Sequence, residues 1–194
     1  GKLQIIARYE KFDMFNYTSG KIHTGGKFSQ TYGRFEAKIR VPDGTGIWPA
    51  FWMMPQESIY GGWPRAGEID IMEVRGRVPT EVSGALHFGY PEMSVGNKGF
   101  LSSSDDVTNW HVYALNWSPT QITMEVDGRI YYTFNPSLQG GTINEQGQSF
   151  DGPAPFDQDF YIILNLAVGG KFDEHRVPEP ESFGALMEVD YVRV

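Results

Sequence analysis

The chain has 194 residues and a formal net charge of −8 at pH 7. Its length suits one β-sandwich with a sizeable core, and its acidic charge, without any basic cluster, disfavours nucleic acid and, more weakly, an anionic polysaccharide as partners. No apolar run approaches the roughly 20 residues of a membrane-spanning helix, and the absence of cysteine excludes disulfides and thiolate-bound zinc. The 23 glycines, 12 prolines and 14% aromatic residues favour a turn-rich β protein.

The first part of the chain alternates apolar and polar residues, the pattern of a strand with one face in the core. Residues 2–9 and 21–23 are predicted strands, and the stretch 12–20, rich in Tyr, Asn and Ser, is predicted to be a connection. Residues 33–41 are the clearest case, because four apolar side chains face inward and the four charged ones between them face outward. The apolar four are Phe35, Ala37, Ile39 and Val41.

Residues 67–74, GEIDIMEV, combine three acids with apolar strand formers. Alternation places Glu68 and Asp70 on one face of a strand, but it would turn Glu73 into the core, where an unpaired carboxylate is costly. We therefore predict a β-bulge near residue 71 or 72, which returns Glu73 to the face of the other acids. Two carboxyl groups flanking a sugar bond are what glycoside hydrolysis requires. The alternative is a strand face whose acids meet only solvent.

Three tryptophans precede the acidic stretch. Trp48 and Trp52 lie in the run IWPAFWMMP, where packing in the core and stacking on the apolar face of a sugar ring are both reasonable interpretations. Trp63 lies in a turn rich in Gly and Pro, five residues before the first acid, which favours a sugar platform. The tryptophans therefore extend the hypothesis of a carbohydrate site beyond the acids themselves.

The rest of the chain predicts further strands and two long loops. His87 lies in the strand after the acidic one, and it reaches Asp70 if the two strands pair. Asp127 and Gly128 are the favoured two-residue turn of a β-hairpin. Strands are predicted at 82–89, 111–117, 121–126, 129–134, 160–168 and 187–194, and loops at 90–106 and 135–157. With no helical periodicity and no repeat, we expect an all-β, antiparallel β-sandwich.

Several motifs together resemble glycoside hydrolase family sixteen, and within it the endo-β-1,3-glucanases called laminarinases. They cover most of the chain and read YTSGKI, YGRFEAKIRVP, WPAFWMMP, GWPRAGEIDIMEV, ALHFG, WHVYALNW, NLAVGG and DYVRV. The acids stand as E-x-D-x-x-E, whereas branches of the family that act on mixed-linkage glucans or xyloglucan have E-x-D-x-E. The resemblance implies a jelly roll of two curved sheets with a substrate cleft across the concave face.

The resemblance also implies roles for individual residues. Glu68 matches the nucleophile, Glu73 the acid/base and Asp70 the assisting carboxylate. Lys21 occupies a position where the family often has arginine, so a bidentate contact with sugar hydroxyls is lost or altered. The other substrate-binding matches are Trp63, a wall of the sugar site next to the cleaved bond, Trp48 and Trp52 near the cleft, and His87 beside the catalytic strand.

The resemblance implies no cofactor for catalysis, but it does imply a structural calcium ion. Asp190 matches one contributor to that site, whereas the family's usual first strand, whose Asp-Glu-Phe segment supplies another part, has no counterpart in residues 1–194. We expect residues 1–194 to be a single catalytic domain without that strand. The family further implies a secreted monomer that acts on a β-glucan polysaccharide or oligosaccharide. We expect no nucleic-acid or membrane partner. The first residues predict a strand and not a leader.

The leading hypothesis is retaining hydrolysis of internal β-1,3-glucosidic bonds, as in laminarin, by two glutamates. A hydrolase of another glucan or galactan within the family is a close alternative. A noncatalytic β-glucan-binding lectin would use the tryptophans, but it has no need of three mutually repelling acids. A third alternative makes the acids a calcium or magnesium site, because oxygen ligands suit hard cations.

Overall fold

The protein is built almost entirely of strands, as a computed structural model describes for residues 1–178 and 183–194. In chain order the strands are β1 (Leu3–Phe12), β2 (Phe15–Thr18), β3 (Lys21–His23), β4 (Gly33–Arg40), β5 (Ile47–Pro55), β6 (Glu68–Glu73), β7 (Glu81–Phe88), β8 (Met93–Phe100), β9 (His111–Trp117), β10 (Ile122–Val126), β11 (Arg129–Phe134), β12 (Gly141–Ile143), β13 (Ser149–Asp151), β14 (Phe160–Val168) and β15 (Ala185–Arg193). A short helix, α1 (Pro136–Gln139), and a 3₁₀ turn (Lys171–Asp173) complete the described elements. Among the described residues no helix is long and apolar enough to cross a membrane.

Two large sheets face each other. The seven-stranded sheet has the order β11-β10-β9-β4-β15-β1-β2, and the six-stranded sheet has the order β3-β14-β5-β6-β7-β8. Neighbouring strands in both sheets pair antiparallel, and β12 and β13 form a separate small hairpin. The predicted all-β antiparallel sandwich is therefore confirmed, and β6 with its acids lies near the middle of the six-stranded sheet.

The core lies between the facing sides of the two sheets. Phe35, Ala37 and Ile39 of β4 are fully buried from one sheet, and Ile69 and Ile71 of β6 are fully buried from the other. Burying one large apolar side chain of this kind stabilises the fold by about 1.5–3 kcal/mol. The apolar face of β6 is thus fixed in the core, which directs its other face outward.

The predicted hairpin between β10 and β11 is confirmed. Asp127 and Gly128 have φ angles of +49° and +75°, and a type I′ turn requires a positive φ at both central residues. The strands on either side pair antiparallel.

Two predicted connections contain strands, and the predictions are wrong there. The stretch 12–20 contains β2 and the stretch 90–106 contains β8. Both are edge strands, with one neighbour each in their sheets. Most of their side chains are exposed or half-exposed, so the sequence carries no alternation of burial by which to recognise them.

The long stretch 135–157 contains α1, β12 and β13 and braces the turn that carries Trp63. The carboxylate of Glu145 accepts a hydrogen bond from the Gly62 backbone N–H at 3.2 Å. Thr142 Oγ1 donates to the Arg65 carbonyl at 3.0 Å. This segment therefore holds one side of the acidic face, in line with its prediction as an excursion that shapes a site.

Candidate active site

The predicted β-bulge is present in β6, and Ile71 is its extra residue. Along β5, Asp70 pairs with Trp52 and Glu73 pairs with Ala50, positions two apart, although the acids are three apart. The pairing of β6 with β7 shows the same offset. Residues two apart on a regular strand share a face, so the bulge sets Glu73 on the same face as Asp70.

A cavity of about 420 Å³ opens on this face of the six-stranded sheet. Its volume falls within the range of about 300–1,000 Å³ typical of ligand sites. All three acids line it, together with residues of β3, β5 and β14. The predicted substrate-binding residues Lys21, Trp48 and Trp52 also line it.

Glu68 is paired with Trp63. The indole Nε1 of Trp63 donates to Glu68 Oε2 at 2.7 Å. Half of the Trp63 surface is exposed. The hydrogen bond fixes one edge of the ring at the carboxylate and leaves an apolar face open, the arrangement a sugar platform requires.

Asp70 lies between the two glutamates along β6 and contacts His87 of the neighbouring strand. His87 Nε2 is 3.2 Å from Asp70 Oδ2, and His87 Nδ1 is 3.4 Å from Glu92 Oε1. In the strand pairing, His87 lies opposite Glu68. The prediction that His87 reaches Asp70 if the two strands pair is confirmed.

Glu73 is held from the side opposite Trp63. Trp48 Nε1 donates to Glu73 Oε1 at 2.9 Å, and the Trp48 ring stacks on Phe172 with centroids 5.2 Å apart. The 3₁₀ turn that carries Phe172 is anchored by the fully buried Asp173, which accepts a hydrogen bond from Arg77 Nε at 2.6 Å. A chain of contacts from distant segments thus fixes the orientation of Glu73.

Trp52 and Lys21 form the far wall of the cavity. Trp52 Nε1 donates to Asn165 Oδ1 at 2.7 Å, and Lys21 Nζ lies 4.4 Å from the centroid of the Trp52 ring. This is a cation–π contact, which leaves the ammonium group beside the ring face. A single ammonium group lacks the two parallel donors that an arginine would present here.

The acids have raised pKa values, because they lie in a partly dry cleft. Burial first, and then the charge of Asp70, raises the pKa of Glu73 to about 8. Burial raises the pKa of Asp70 to about 7, against the lowering effect of His87. The pKa of Glu68 is also raised by burial, while His87 and the Trp63 indole oppose that shift.

His87 carries the compensating positive charge. Its interaction with Asp70 is the main reason why the pKa of His87 rises to about 9, so the imidazole is protonated at neutral pH. Near neutral pH the cleft therefore holds a protonated Glu73, an imidazolium and two carboxyl groups that share the remaining negative charge. The proton on Glu73 is what a general acid requires, and the Trp63 indole and the charge of His87 act on Glu68 toward its ionised form.

Glu68, Asp70 and His87 are the one group of three potential metal ligands found among the described residues, with ligand atoms within 4.8 Å of one another. His87 must lose its proton to bind a metal, and its raised pKa opposes that loss. At the predicted calcium position, Asp190 is 3.3 Å from Lys38 Nζ and belongs to no such group within the described ranges. A calcium ion takes six to eight oxygen ligands, so these residues alone do not fit one.

Several contacts of the site were not predicted. Asn165 lies in the motif NLAVGG but has no partner until β14 is placed beside β5. Phe172 and Glu92 lie in connections without any pattern, so no signal in the sequence identifies them. Tyr131 reaches the bulge from the other sheet, and its position depends entirely on how the sheets pack.

Two half-buried glutamates on one cleft face, a buried carboxyl between them and tryptophan walls are the groups that glycoside hydrolysis uses. Residues 3–169 match the family model of glycosyl hydrolases family 16. The chain belongs to this family, and the predicted family resemblance is confirmed.

The relatives of the chain fit this assignment. The chain is 44% identical over 186 residues to glucan endo-1,3-beta-glucosidase A1 of Niallia circulans, an alignment that covers 92% of this chain and 26% of that protein. It is 42% identical over 199 residues to the beta-glucanase of Rhodothermus marinus, covering 100% and 68% of the two. The X-ray structure of the laminarinase from Rhodothermus marinus matches with a TM-score of 0.85 at 40% identity, covering 100% of this chain and 76% of that one. The chain thus spans from about a quarter to about three quarters of the length of these proteins.

Proposed function

We propose that residues 1–194 act as one catalytic domain that hydrolyses internal β-1,3-glucosidic bonds of a β-glucan and retains the anomeric configuration. The observation that carries the proposal is the bulge at Ile71, because it brings Glu73 to the cleft face that Glu68 and Asp70 occupy. The names of the relatives, a glucan endo-1,3-beta-glucosidase and a laminarinase, support the substrate class.

In the first step Glu68 attacks the anomeric carbon and forms a glycosyl ester. The bond from that carbon to the bridging oxygen breaks, and Glu73 gives its proton to the departing sugar. A pKa of about 8 keeps Glu73 protonated at neutral pH before this step. The Trp63 indole and the charge of His87 favour the ionised form of Glu68, which is the form that attacks.

In the second step Glu73, now a carboxylate, takes a proton from water while the water oxygen attacks the anomeric carbon. The ester bond breaks and returns Glu68 as a carboxylate. Esterification has meanwhile removed the negative charge of Glu68, and like charges on neighbouring carboxyl groups raise each other's pKa. Glu73 is therefore a weaker acid before esterification than after it, which suits the change from acid to base.

Asp70 and His87 act on Glu68 and not on the sugar bond. Asp70 is buried, and its carboxyl group lies close enough to that of Glu68 for each to shift the pKa of the other. His87 balances the charge of the pair. We assign Asp70 the assisting role, in which it steadies the orientation and charge of the nucleophile.

The aromatic walls bind the sugar rings on either side of the cleaved bond. Trp63 offers an exposed ring face next to Glu68, and Trp48, half-buried and stacked on Phe172, lines the cavity next to Glu73. Trp52 with Lys21 lies farther along the cavity, toward the β3 edge of the sheet. Stacking on these faces would align the glucan across β6, and the lysine would contribute one hydrogen bond to a sugar hydroxyl.

The experiment that tests the proposal separates hydrolysis from binding. Glu68→Gln keeps the shape of the side chain and an acceptor for Trp63, but it removes the nucleophile. We expect it to bind laminarin oligosaccharides within about threefold of the wild type and to lose at least about 10³-fold in reducing-sugar release. The matched control is Glu57→Gln, an exposed acid that does not line the cleft.

Two results would contradict the proposal. A wild-type protein that binds laminarin and releases no reducing ends would be a lectin. A Glu68→Gln variant with appreciable turnover would show that Glu68 is not the nucleophile.

A secreted monomer belongs to the same proposal and is supported by the family. The structural calcium ion stays a proposal, tested by whether added Ca²⁺ raises Tm and Asp190→Asn abolishes the rise.

A further inference from the structure

Tyr131 of β11 reaches from the edge of the seven-stranded sheet to the bulge in the six-stranded sheet. Its hydroxyl donates a hydrogen bond to the backbone carbonyl of Ile71, the extra residue of the bulge. A bulge interrupts the regular ladder, and a buried carbonyl without a donor is costly. Tyr131 therefore supplies a donor at the one irregular point of the strand that carries the acids.

Two glycines make room for this tyrosine. Gly84 of β7 stands alone opposite the bulge, between the residues that pair with Asp70 and Glu73. A Cβ at Gly84 would lie 2.9 Å from Tyr131 Cε2 and 3.1 Å from the hydroxyl oxygen, and a Cβ at Gly99 would lie 2.9 Å from Tyr131 Cβ. The path of the phenol ring to the bulge is thus open only because both positions lack a side chain.

The hydroxyl of Tyr131 stays a donor at every pH where a glycosidase acts. Burial raises its pKa well above the usual value, and the nearby carboxyls of Glu73 and Asp70 act in the same direction. The phenol is on the core side of β6, whereas the acids are on the cleft side, so it has no route to the substrate.

We propose that Tyr131 is a positioning residue of the enzyme, whose hydroxyl holds the bulge at Ile71 and thereby keeps Glu73 in the cleft. The inference rests on the hydrolysis proposed above. Without the hydroxyl, the Ile71 carbonyl has to turn toward another donor, and Glu73, two residues along the strand, moves with the backbone. A small displacement of an acid that must reach the leaving oxygen lowers its efficiency strongly.

The test is Tyr131→Phe, with Tyr132→Phe as the matched control. The Tyr132 hydroxyl is the next phenol on the same strand and makes no hydrogen bond within the part of the chain that the structure describes. Each variant is assayed on a β-1,3-glucan oligosaccharide, whose leaving sugar needs a proton from Glu73, and on its dinitrophenyl glycoside, whose leaving group does not. The ratio of the two kcat/KM values isolates the acid step.

For Tyr131→Phe we expect kcat/KM on the oligosaccharide to fall about tenfold and on the dinitrophenyl glycoside less than twofold, with a Tm lower by roughly 3–8 °C. For Tyr132→Phe we expect both substrates to stay within twofold of wild type. Equal losses on both substrates, no loss on either, or failure of Tyr131→Phe alone to fold would each overturn the proposal, since the hydroxyl would then serve general stability or nothing.

A third variant separates this inference from the proposed function. Glu73→Gln must lose the oligosaccharide activity and keep activity on the dinitrophenyl glycoside in its first turnover. If it does so while Tyr131→Phe behaves as wild type, only the role of Tyr131 fails. If Glu73→Gln keeps its oligosaccharide activity, the assignment of the acid fails as well.

Discussion

Glu68 and Glu73 have the same side chain, and each accepts a hydrogen bond from a different tryptophan. What separates them is the surrounding charge. Burial raises the pKa of both glutamates, and the charge of His87 opposes the rise in both. Asp70 acts differently on the two, because its hydrogen bond lowers the pKa of Glu68 whereas its charge helps to raise the pKa of Glu73 to about 8. The proposed division between nucleophile and acid is therefore a consequence of where each residue lies on β6.

Trp48→Phe tests this division at the acid. The Trp48 hydrogen bond lowers the pKa of Glu73, so removing the indole N–H raises that pKa further. We expect the basic limb of the pH profile of kcat/KM to move to higher pH, with a loss of about two- to tenfold at the optimum from poorer orientation.

The control for this variant is Trp52→Phe. Trp52 lines the same cavity, but its N–H donates to Asn165 and not to an acid. Its basic limb should coincide with that of the wild type. If the basic limb moves to lower pH in Trp48→Phe, the prediction is contradicted. If it moves by the same amount in both variants, the Trp48 hydrogen bond does not control the pKa of Glu73.

Among the strands, β6 is the one in which the number of residues between Asp70 and Glu73 decides which face Glu73 occupies. The partner strands hold Asp70 and Glu73 at positions two apart, and Ile71 is the residue in excess. Deletion of Ile71 alone leaves a regular strand in which Glu73 still faces the cleft. Deletion of both Ile71 and Met72 turns Glu73 into the core.

These two deletions differ in the face of β6 on which they leave Glu73, so they test the role of the bulge. We expect the single deletion to keep measurable hydrolysis, reduced by about 10- to 100-fold because a buried isoleucine and the contact to Tyr131 are lost. The double deletion should be inactive and strongly destabilised, because it buries a carboxyl group. Reducing-sugar release and Tm are the measurements. If the single deletion is as inactive as the double deletion, the number of residues between Asp70 and Glu73 is not what brings Glu73 to the cleft.

Elements that face the core on one side could be predicted from the sequence. The alternation in β4 and the Asp127–Gly128 turn have local physical causes, and the acids of β6 required a bulge because a buried carboxylate is costly. The edge strands β2 and β8 could not be predicted, since their side chains are not sorted by burial. Asn165, Phe172 and Tyr131 could not be assigned to the site either, because each meets its partner only after the sheets and loops have packed.

At the scale of the whole molecule, the cleft is supported by segments far apart in the chain. The stretch 135–157 braces the turn of Trp63 through Glu145 and Thr142. On the other side, the 3₁₀ turn anchored by Asp173 supports Trp48 through Phe172. The positions of the two glutamates thus depend on the folded state of the entire sandwich. Because their pKa values are raised in that state, their ionisation lowers the free energy of unfolding.

The raised pKa of Glu73 predicts how the free energy of unfolding depends on pH. The pKa of Glu73 is raised from its ordinary value of 4.5 to about 8 in the folded protein, so its contribution to stability is fully present below about pH 4.5 and is lost as the pH rises through about 8. Glu73→Gln cannot ionise and does not have this loss. Its free energy of unfolding should exceed that of the wild type by an amount that grows to about 1–3 kcal/mol between pH 5 and pH 9, after allowance for partial exposure.

Thermal unfolding of both proteins across this range measures the effect. Glu57→Gln, at an exposed position, should parallel the wild type. A gap in Tm between Glu73→Gln and wild type that stays constant from pH 5 to pH 9 would contradict a raised pKa at Glu73.

The proposed mechanism requires Glu68 and Glu73 to approach one sugar ring closely enough for the first to attack its anomeric carbon. Carboxyl groups about 5–5.5 Å apart give retention of configuration, and groups about 6.5–9.5 Å apart give inversion. Proton NMR of the first products released from a β-1,3-glucan oligosaccharide, recorded before mutarotation, distinguishes the two directly. We expect the new reducing end to appear first as the β anomer; first appearance of the α anomer would exclude a glycosyl ester on Glu68.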